Sequence, residues 1–100
     1  NWKNEDDRNR TGFMHACFWN HVETVKYLIT FDRINVNLIN KEGRSGFYFA
    51  CNYGSNDIVQ ILLDDPRVDL MLSNNWNWSP LMAAVYYGKT ETVKRVLCAS

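Results

Sequence analysis

The sequence lacks the long apolar run and the charge imbalance that mark membrane-spanning and nucleic-acid-binding proteins. Its longest uninterrupted apolar segment is residues 81–87, far shorter than the roughly 20 residues that a membrane-spanning helix requires. Lysine plus arginine and aspartate plus glutamate each number 11, so no overall field steers the chain toward nucleic acid or anionic lipid. With 46% apolar residues among 100, the composition favours one globular domain with a single core.

The sequence also lacks the motifs of catalysis and metal binding. It contains no serine–histidine–aspartate arrangement and no glycine-rich loop that could hold a phosphate. His15 and Cys17 are two positions apart and would point to different faces of a helix, so they and His21 do not form a metal-binding set. We therefore predict that the protein is not an enzyme and has no catalytic residues, no metal and no cofactor.

What the chain does contain is an internal repeat. The segment 43–63 recurs 34 residues earlier at 9–29 and 34 residues later at 77–97. A fixed period between about 20 and 50 residues is typical of stacked repeat arrays. The shared columns hold a hydroxyl residue (Thr11, Ser45, Ser79), an alanine (Ala16, Ala50, Ala84), a turn former (Asn20, Gly54, Gly88) and a closing apolar pair (Leu28–Ile29, Leu62–Leu63, Val96–Leu97).

Each copy is predicted to form two helices. Thr11, Ser45 and Ser79 lie where a side-chain oxygen would cap the first helix, and Pro80 occupies the favoured first helical position of the third copy. The turn-former column ends this helix, because glycine and asparagine tolerate the left-handed conformation found there. Apolar residues then recur at the spacing of one buried face, which predicts a second helix.

The segments 40–44 and 74–78 are rich in turn formers and are predicted to make hairpin-like turns. The resulting order of helix, turn, helix and β-turn resembles the ankyrin repeat. Residues 79–84, Ser-Pro-Leu-Met-Ala-Ala, match the family's Thr-Pro-Leu-His-x-Ala, and residues 57–63 match its second helix. The resemblance implies an all-α, ankyrin-type solenoid of helix-turn-helix units joined by β-turn or hairpin loops.

The copies depart from the family pattern at the start of the first helix. Gly12 and Gly46 replace the family's proline. Glycine loses more conformational freedom on folding than other residues do. We therefore expect these two glycines to lower the stability of the array.

Both ends of the sequence look cut from a longer array, and we interpret residues 1–100 as a single ankyrin-repeat domain. Repeat arrays gain stability from neighbour interfaces, so we expect Trp2, Val93 and Val96 to be partly exposed at the ends. This predicts a marginally stable monomer or end-to-end self-stacking through the end faces. The predicted segments are the tail of a preceding repeat at 1–8, repeat 1 at 9–39, repeat 2 at 40–73 and a truncated repeat 3 at 74–100.

The chain has three cysteines, and Cys17 and Cys51 occupy the same repeat column. Equivalent positions in packed helices lie roughly 10 Å apart, whereas a disulfide requires Cα atoms within about 7 Å. These two cysteines are therefore predicted to be buried thiols. Such thiols fit a reducing, intracellular setting, in the cytoplasm or the nucleus.

The resemblance implies that a partner binds the concave surface formed by the turn tips and the first helices. Aromatic residues and arginine, which dominate interaction hot spots, make up seven and three of the twelve positions that carry over. The predicted partner-binding residues are Arg8, Arg10, Phe18, Trp19, Glu42, Arg44, Asn52, Tyr53, Trp76, Trp78, Tyr86 and Tyr87.

The first functional hypothesis is a non-catalytic module that binds another protein. A structural alternative is that Trp19, Tyr53 and Tyr87 pack on one another and only seal the groove. A second function would be binding of a nucleotide or single-stranded RNA by base stacking, although the zero net charge argues against a nucleic-acid partner. A third is a spacer between flanking domains. Asn37 resembles the asparagine that hydroxylases modify in some ankyrin repeats.

Overall fold

The computed structural model describes residues 12–31 and 34–99, and within them it shows helices and turns but no strand. A single antiparallel bridge joins Ile39 and Ser45. The predicted all-α solenoid of helix-turn-helix units is therefore confirmed. The helices of the described residues are α1 (Gly12–Phe18), α2 (Val22–Leu28), α3 (Gly46–Tyr53), α4 (Asn56–Leu63), α5 (Pro80–Tyr86) and α6 (Thr90–Ala99).

The first helix of each repeat begins and ends as its local sequence predicts. The Ser45 hydroxyl accepts a hydrogen bond from the Tyr48 amide, and the Ser79 hydroxyl accepts one from the Met82 amide, both at 3.2 Å. These oxygens satisfy amides that lack a partner within the helix. The residues that follow the first helices share a left-handed conformation, with φ of 60° at Asn20, 66° at Gly54 and 69° at Gly88. Thr11, the third predicted cap, and Trp2 lie outside the described residues.

A buried asparagine organises each turn between repeats. The Asn40 side-chain oxygen accepts hydrogen bonds from the Glu42 and Arg44 amides, each at 3.0 Å. In the next repeat, the Asn74 oxygen accepts from the amides at 76 and 78, each at 2.9 Å. Because the turn is closed by its own side chain, its tip projects from the helices with a fixed geometry.

Successive turns also bond to each other. The Asn75 amide donates to the Glu42 carbonyl at 2.9 Å, and the Asn75 side-chain amide donates to the Lys41 carbonyl at 2.7 Å. Gly43 makes this approach possible, since a Cβ added to it would lie 2.9 Å from the Asn75 nitrogen. Its φ of 79° also favours glycine. The turn tips therefore stack in register along the array.

The helices form two stacked layers with the core between them. The first helices, α1, α3 and α5, pack in order, and the second helices pack as α2, α4 and α6 behind them. The small side chains in the alanine column let neighbouring helices approach closely. The core is built mainly from Phe13, Met14, Cys17, Val25, Val36, Phe47, Ala50, Cys51, Ile58, Val59, Leu62, Ala84 and Val96.

Gly46 has a packing role that its position at a helix start did not predict. A Cβ added there would lie 2.7 Å from Cε2 of Phe13 and 3.1 Å from Sγ of Cys17. The glycine therefore permits close contact between α1 and α3. The expectation that it only lowers stability is incomplete, because its replacement by alanine would also disturb the packing of Phe13.

The side chains of Arg67 and Asn37 join the connectors that follow α2 and α4 by hydrogen bonds. The Arg67 guanidinium donates to the Ile29 carbonyl at 2.6 Å, the Phe31 carbonyl at 3.2 Å and the Asp65 carboxylate at 2.7 Å. The Asn37 side chain donates to the Arg67 carbonyl at 2.8 Å and accepts from the amide of residue 69 at 2.7 Å. Asn37 thus has a structural role in joining two repeats.

Candidate functional site

A cluster of aromatic rings joins the first two repeats at the ends of α1 and α3. Phe18 lies between Trp19 and Tyr53, with ring centroids 4.9 Å and 5.0 Å away in edge-to-face geometry. It also contacts the buried ring of Phe49 at 5.4 Å. Phe18 is half-buried, whereas Trp19 and Tyr53 are exposed. Phe18 therefore fixes two exposed rings to the core.

A second cluster belongs to the third repeat. The Tyr86 ring lies 5.0 Å from Trp78 and 4.9 Å from Tyr87, again edge to face. Trp78 is half-buried and its amide is held by Asn74. Tyr86 and Tyr87 are exposed at the end of α5. This arrangement repeats that of the first cluster, in which one anchored ring fixes exposed rings beside it.

Arg44 lies in the turn between these two clusters in the repeat order. Its guanidinium carbon is 5.6 Å from the centroid of the Tyr48 ring and 5.9 Å from that of Trp76. Tyr48 is buried, and its hydroxyl accepts a hydrogen bond from the Asn74 side chain at 3.2 Å. Trp76 is exposed at the tip of the next turn. Arg44 therefore spans two repeats through cation–π contacts.

Four predicted site residues remain, of which the structure describes two. Glu42 and Asn52 are half-buried, and the backbone of Glu42 is engaged in the turn hydrogen bonds. Arg8 and Arg10 lie outside the described residues. We call the following rings the aromatic face: Phe18, Trp19, Tyr53, Trp76, Trp78, Tyr86 and Tyr87.

Some of the rings contact one another, as the structural alternative predicts, but they are not buried by these contacts. Phe18 connects Trp19 to Tyr53, and Tyr87 contacts its own neighbour Tyr86. Despite these contacts, Trp19, Tyr53, Trp76, Tyr86 and Tyr87 keep between 47% and 68% of their surface exposed. The contacts orient the rings but do not bury them.

An apolar groove on α5 lies beside the second cluster. It contains three residues that were not predicted as site residues: Leu81, Met82 and Val85. It encloses about 350 Å³ and is lined by Trp78, Leu81, Met82, Val85 and Tyr86. The equivalents of Met82 and Val85 in the earlier repeats are buried by the next helix of the layer. The repeat alignment places Leu81, Met82 and Val85 in columns that are buried in the earlier repeats, so only the exposure of α5 distinguishes them.

The exposed apolar surface of the third repeat differs from the expected one. Val96 is buried and Val93 is half-buried, because α4 packs against α6 and covers them. The prediction that Val96 is partly exposed was wrong. The large exposed aliphatic residues described in this repeat are instead Met82 and Val85 on α5 and Leu97 on α6, in addition to the exposed rings of Trp76, Tyr86 and Tyr87.

The thiols and histidines show no arrangement for chemistry. Cys17 and Cys51 are free and buried, and burial raises the pKa of both thiols, that of Cys51 to about 12. Such thiols stay protonated and unreactive at neutral pH. The rings of His15 and His21 are 5.9 Å apart, but the described residues contain no group of three potential metal ligands. Among the described helices, none is long and apolar enough to cross a bilayer.

Comparison with known families assigns the class of this protein. A family model of ankyrin repeats in many copies matches residues 28–81, and a model of the single ankyrin repeat matches residues 8–41. The chain belongs to the ankyrin-repeat family. Comparison with curated protein sequences gave no significant match. Ankyrin repeats are generally protein–protein interaction modules and are typically not catalytic.

Proposed function

We propose that this chain is a non-catalytic interaction module whose protein partner binds the aromatic face. The observation that carries the proposal is that the face holds five exposed rings, four of which contact another ring of the face edge to face. Exposed aromatic surface on a soluble domain marks an interaction site, and tryptophan and tyrosine dominate interaction hot spots.

The ring contacts favour binding because they restrict motion before a partner arrives. Phe18 and Trp78 are half-buried and hold the rings beside them. A side chain that is already ordered loses less conformational entropy when a partner immobilises it. The same geometry would offer little advantage if these rings only filled space between repeats.

The charges of the face favour a protein over a nucleic acid. Among the described site residues, Arg44 is the one cation, and Glu42 lies two positions before it. Binding to nucleic acid depends on several phosphate contacts made by lysine and arginine. The buried, protonated thiols of Cys17 and Cys51 suit a reducing compartment, so we propose an intracellular protein of the cytoplasm or nucleus.

The test selects binders from displayed random peptides and measures their affinity for single variants. Trp19→Ala and Trp78→Ala should each weaken binding by about 2 kcal/mol. The free energy of unfolding should change by about 0.5 kcal/mol or less for the exposed Trp19 and by about 1–2 kcal/mol for the half-buried Trp78. Tyr27→Ala is the control, because Tyr27 is an exposed ring that contacts Phe31 edge to face at 5.1 Å but lies on α2. It should leave affinity unchanged.

Three results would contradict this proposal. The first is peptide binding that is insensitive to both tryptophans. The second is a large loss of stability in the tryptophan variants, which would assign these rings to the core. The third is tight binding of a single-stranded oligonucleotide that weakens steeply with salt, as phosphate contacts require.

The apolar groove on α5 supports a second interaction, with another copy of this chain. In the first two repeats the equivalent positions pack against the next first-layer helix, so a helix of the same kind would fit the groove. We propose weak end-to-end association through Met82 and Val85. Light scattering should show a mass that rises with concentration for the wild type and stays monomeric for Val85→Lys. A monomeric wild type at all concentrations would contradict the association.

A further inference from the structure

Arg44 is a cation that is held in place by two rings and has no anion beside it among the described residues. Two rings flank its guanidinium, and its Nε is buried without a hydrogen-bond partner. Within residues 12–31 and 34–99, no carboxylate forms an ion pair with it, although Glu42 is two positions away. A charge that is partly removed from water is costly unless it is paired, so Arg44 would gain from an anion supplied by another molecule.

The position of Arg44 is fixed by its neighbours. The Tyr48 ring beneath it is buried and hydrogen-bonded to Asn74, and the Arg44 amide is bonded to the Asn40 side chain at 3.0 Å. Arginine loses much rotamer freedom when it is immobilised in an interface. Here the fold has already imposed part of that restriction, which lowers the cost of ion pairing.

We propose that Arg44 receives the carboxylate of an aspartate or glutamate in a partner peptide that lies extended along the aromatic face. This inference rests on the proposed function of that face. One guanidinium matches one carboxylate through two parallel hydrogen bonds. A phosphate group carries up to two negative charges and is usually bound by several arginines, whereas Arg44 is the one cation among the described site residues. The recognised segment is therefore acidic and apolar rather than phosphorylated.

The repeat spacing predicts where the acidic residue lies in such a peptide. Trp78 occupies the position in the third repeat that Arg44 occupies in the second. Packed helices of neighbouring repeats lie about 10 Å apart, and an extended peptide advances about 3.3 Å per residue. An acidic residue at Arg44 would thus be about three residues from an aromatic or apolar residue that contacts Trp78.

The experiment uses peptides selected from a displayed random library on the whole chain. We expect enrichment of aspartate or glutamate about three positions from an aromatic or apolar residue. Exchange of that acid for its amide, or Arg44→Gln, should weaken binding at least about tenfold, as loss of one partner of a charge pair does. Lys41→Gln removes an exposed cation from the same turn and should change affinity less than about twofold.

The outcomes separate this inference from the proposed function. Peptides that require Trp19 and Trp78 but tolerate Arg44→Gln would overturn the acidic specificity and leave the aromatic face intact. Peptides that require Arg44 but tolerate both tryptophan variants would support the ion pair and overturn the proposed face. Thermal unfolding of Arg44→Gln controls for misfolding. If that variant unfolds, the selected peptide and its amide analogue on the wild type still test the ion pair.

Discussion

Helices α3 and α5 occupy equivalent positions in the repeat, yet the structure uses them differently. Cys51 of α3 is fully buried, whereas Val85, its equivalent on α5, is 61% exposed. Tyr48 is buried, whereas its equivalent Met82 is exposed. The difference arises because α5 covers α3 while, within the described residues, no helix covers the far side of α5. Burial in this array therefore depends on the neighbouring repeat as much as on the residue type.

The repeats also differ in how many buried side chains and how many exposed rings they contribute. The second repeat, between two neighbours, contributes most of the fully buried side chains, including Phe47, Ile58 and Leu62. The third repeat contributes three of the five exposed rings of the aromatic face, and the first and second repeats contribute one each, Trp19 and Tyr53. The second repeat also contributes Arg44, a charge between the two aromatic clusters.

The largest expected difference concerns two leucines of the second helices. Leu62 of α4 is fully buried, and Leu97 of α6, which follows Val96, the equivalent of Leu62, is 57% exposed. Leu62→Ala should lower the free energy of unfolding by about 2–5 kcal/mol, and Leu97→Ala by about 0.5 kcal/mol or less. Urea denaturation followed by circular dichroism measures both changes. Equal losses would show that Leu97 is packed as well as Leu62.

A smaller difference is expected between two glycines with positive φ. At Gly43 a Cβ would meet Asn75, whereas at Gly88 no atom lies within 4 Å of the added Cβ. Asparagine tolerates the left-handed conformation. An exchange to asparagine therefore tests whether there is room for a side chain at each position. Gly43→Asn should cost about 1–3 kcal/mol of stability, and Gly88→Asn about 0.5 kcal/mol or less. If both variants unfold at the same urea concentration, stacking of the turns contributes little.

The smallest effect concerns the connector after α4, where Arg67 bonds to the end of the first repeat. Hydrogen bonds from Arg67 lower the pKa of the Asp65 carboxyl below its usual value. A lowered pKa contributes stability that is present above the unfolded pKa, about 3.9, and is lost as the pH falls through the folded value. Asp65→Asn should thus destabilise the chain at neutral pH by about 1 kcal/mol or less.

The pH dependence of that difference is the critical part of this prediction. The difference in unfolding free energy between the wild type and Asp65→Asn should shrink when urea denaturation is repeated near pH 2. Asp64→Asn, an exchange at the exposed neighbouring carboxylate, serves as the control and should show a smaller difference at neutral pH. A difference for Asp65→Asn that does not change with pH would assign its effect to packing.

Features with local causes could be predicted from the sequence. The helix caps at Ser45 and Ser79, the left-handed residues at Asn20, Gly54 and Gly88, and the turns at 40–44 and 74–78 follow from residues near each feature. Side-chain capping and left-handed preferences operate within a few residues. The repeat period extended these local predictions to the whole fold.

Features that depend on neighbouring repeats could not be predicted in this way. The contact of Gly46 with Phe13, the burial of Val96 and the position of Arg44 between Tyr48 and Trp76 each join residues about one repeat apart or more. The sequence identified the aromatic residues of the candidate site. It did not indicate which rings are anchored or that no carboxylate of the described residues pairs with Arg44.

The most direct test of the proposed binding surface is a footprint of a selected peptide on the isotopically labelled chain by NMR. We expect the chemical shifts to change at Trp19, Tyr53, Trp78 and Tyr86 and at the turn around Arg44. Tyr27 and the exposed positions of α4 and α6 should remain unchanged. A footprint on the second-layer helices, with the aromatic face unaffected, would contradict the proposed function.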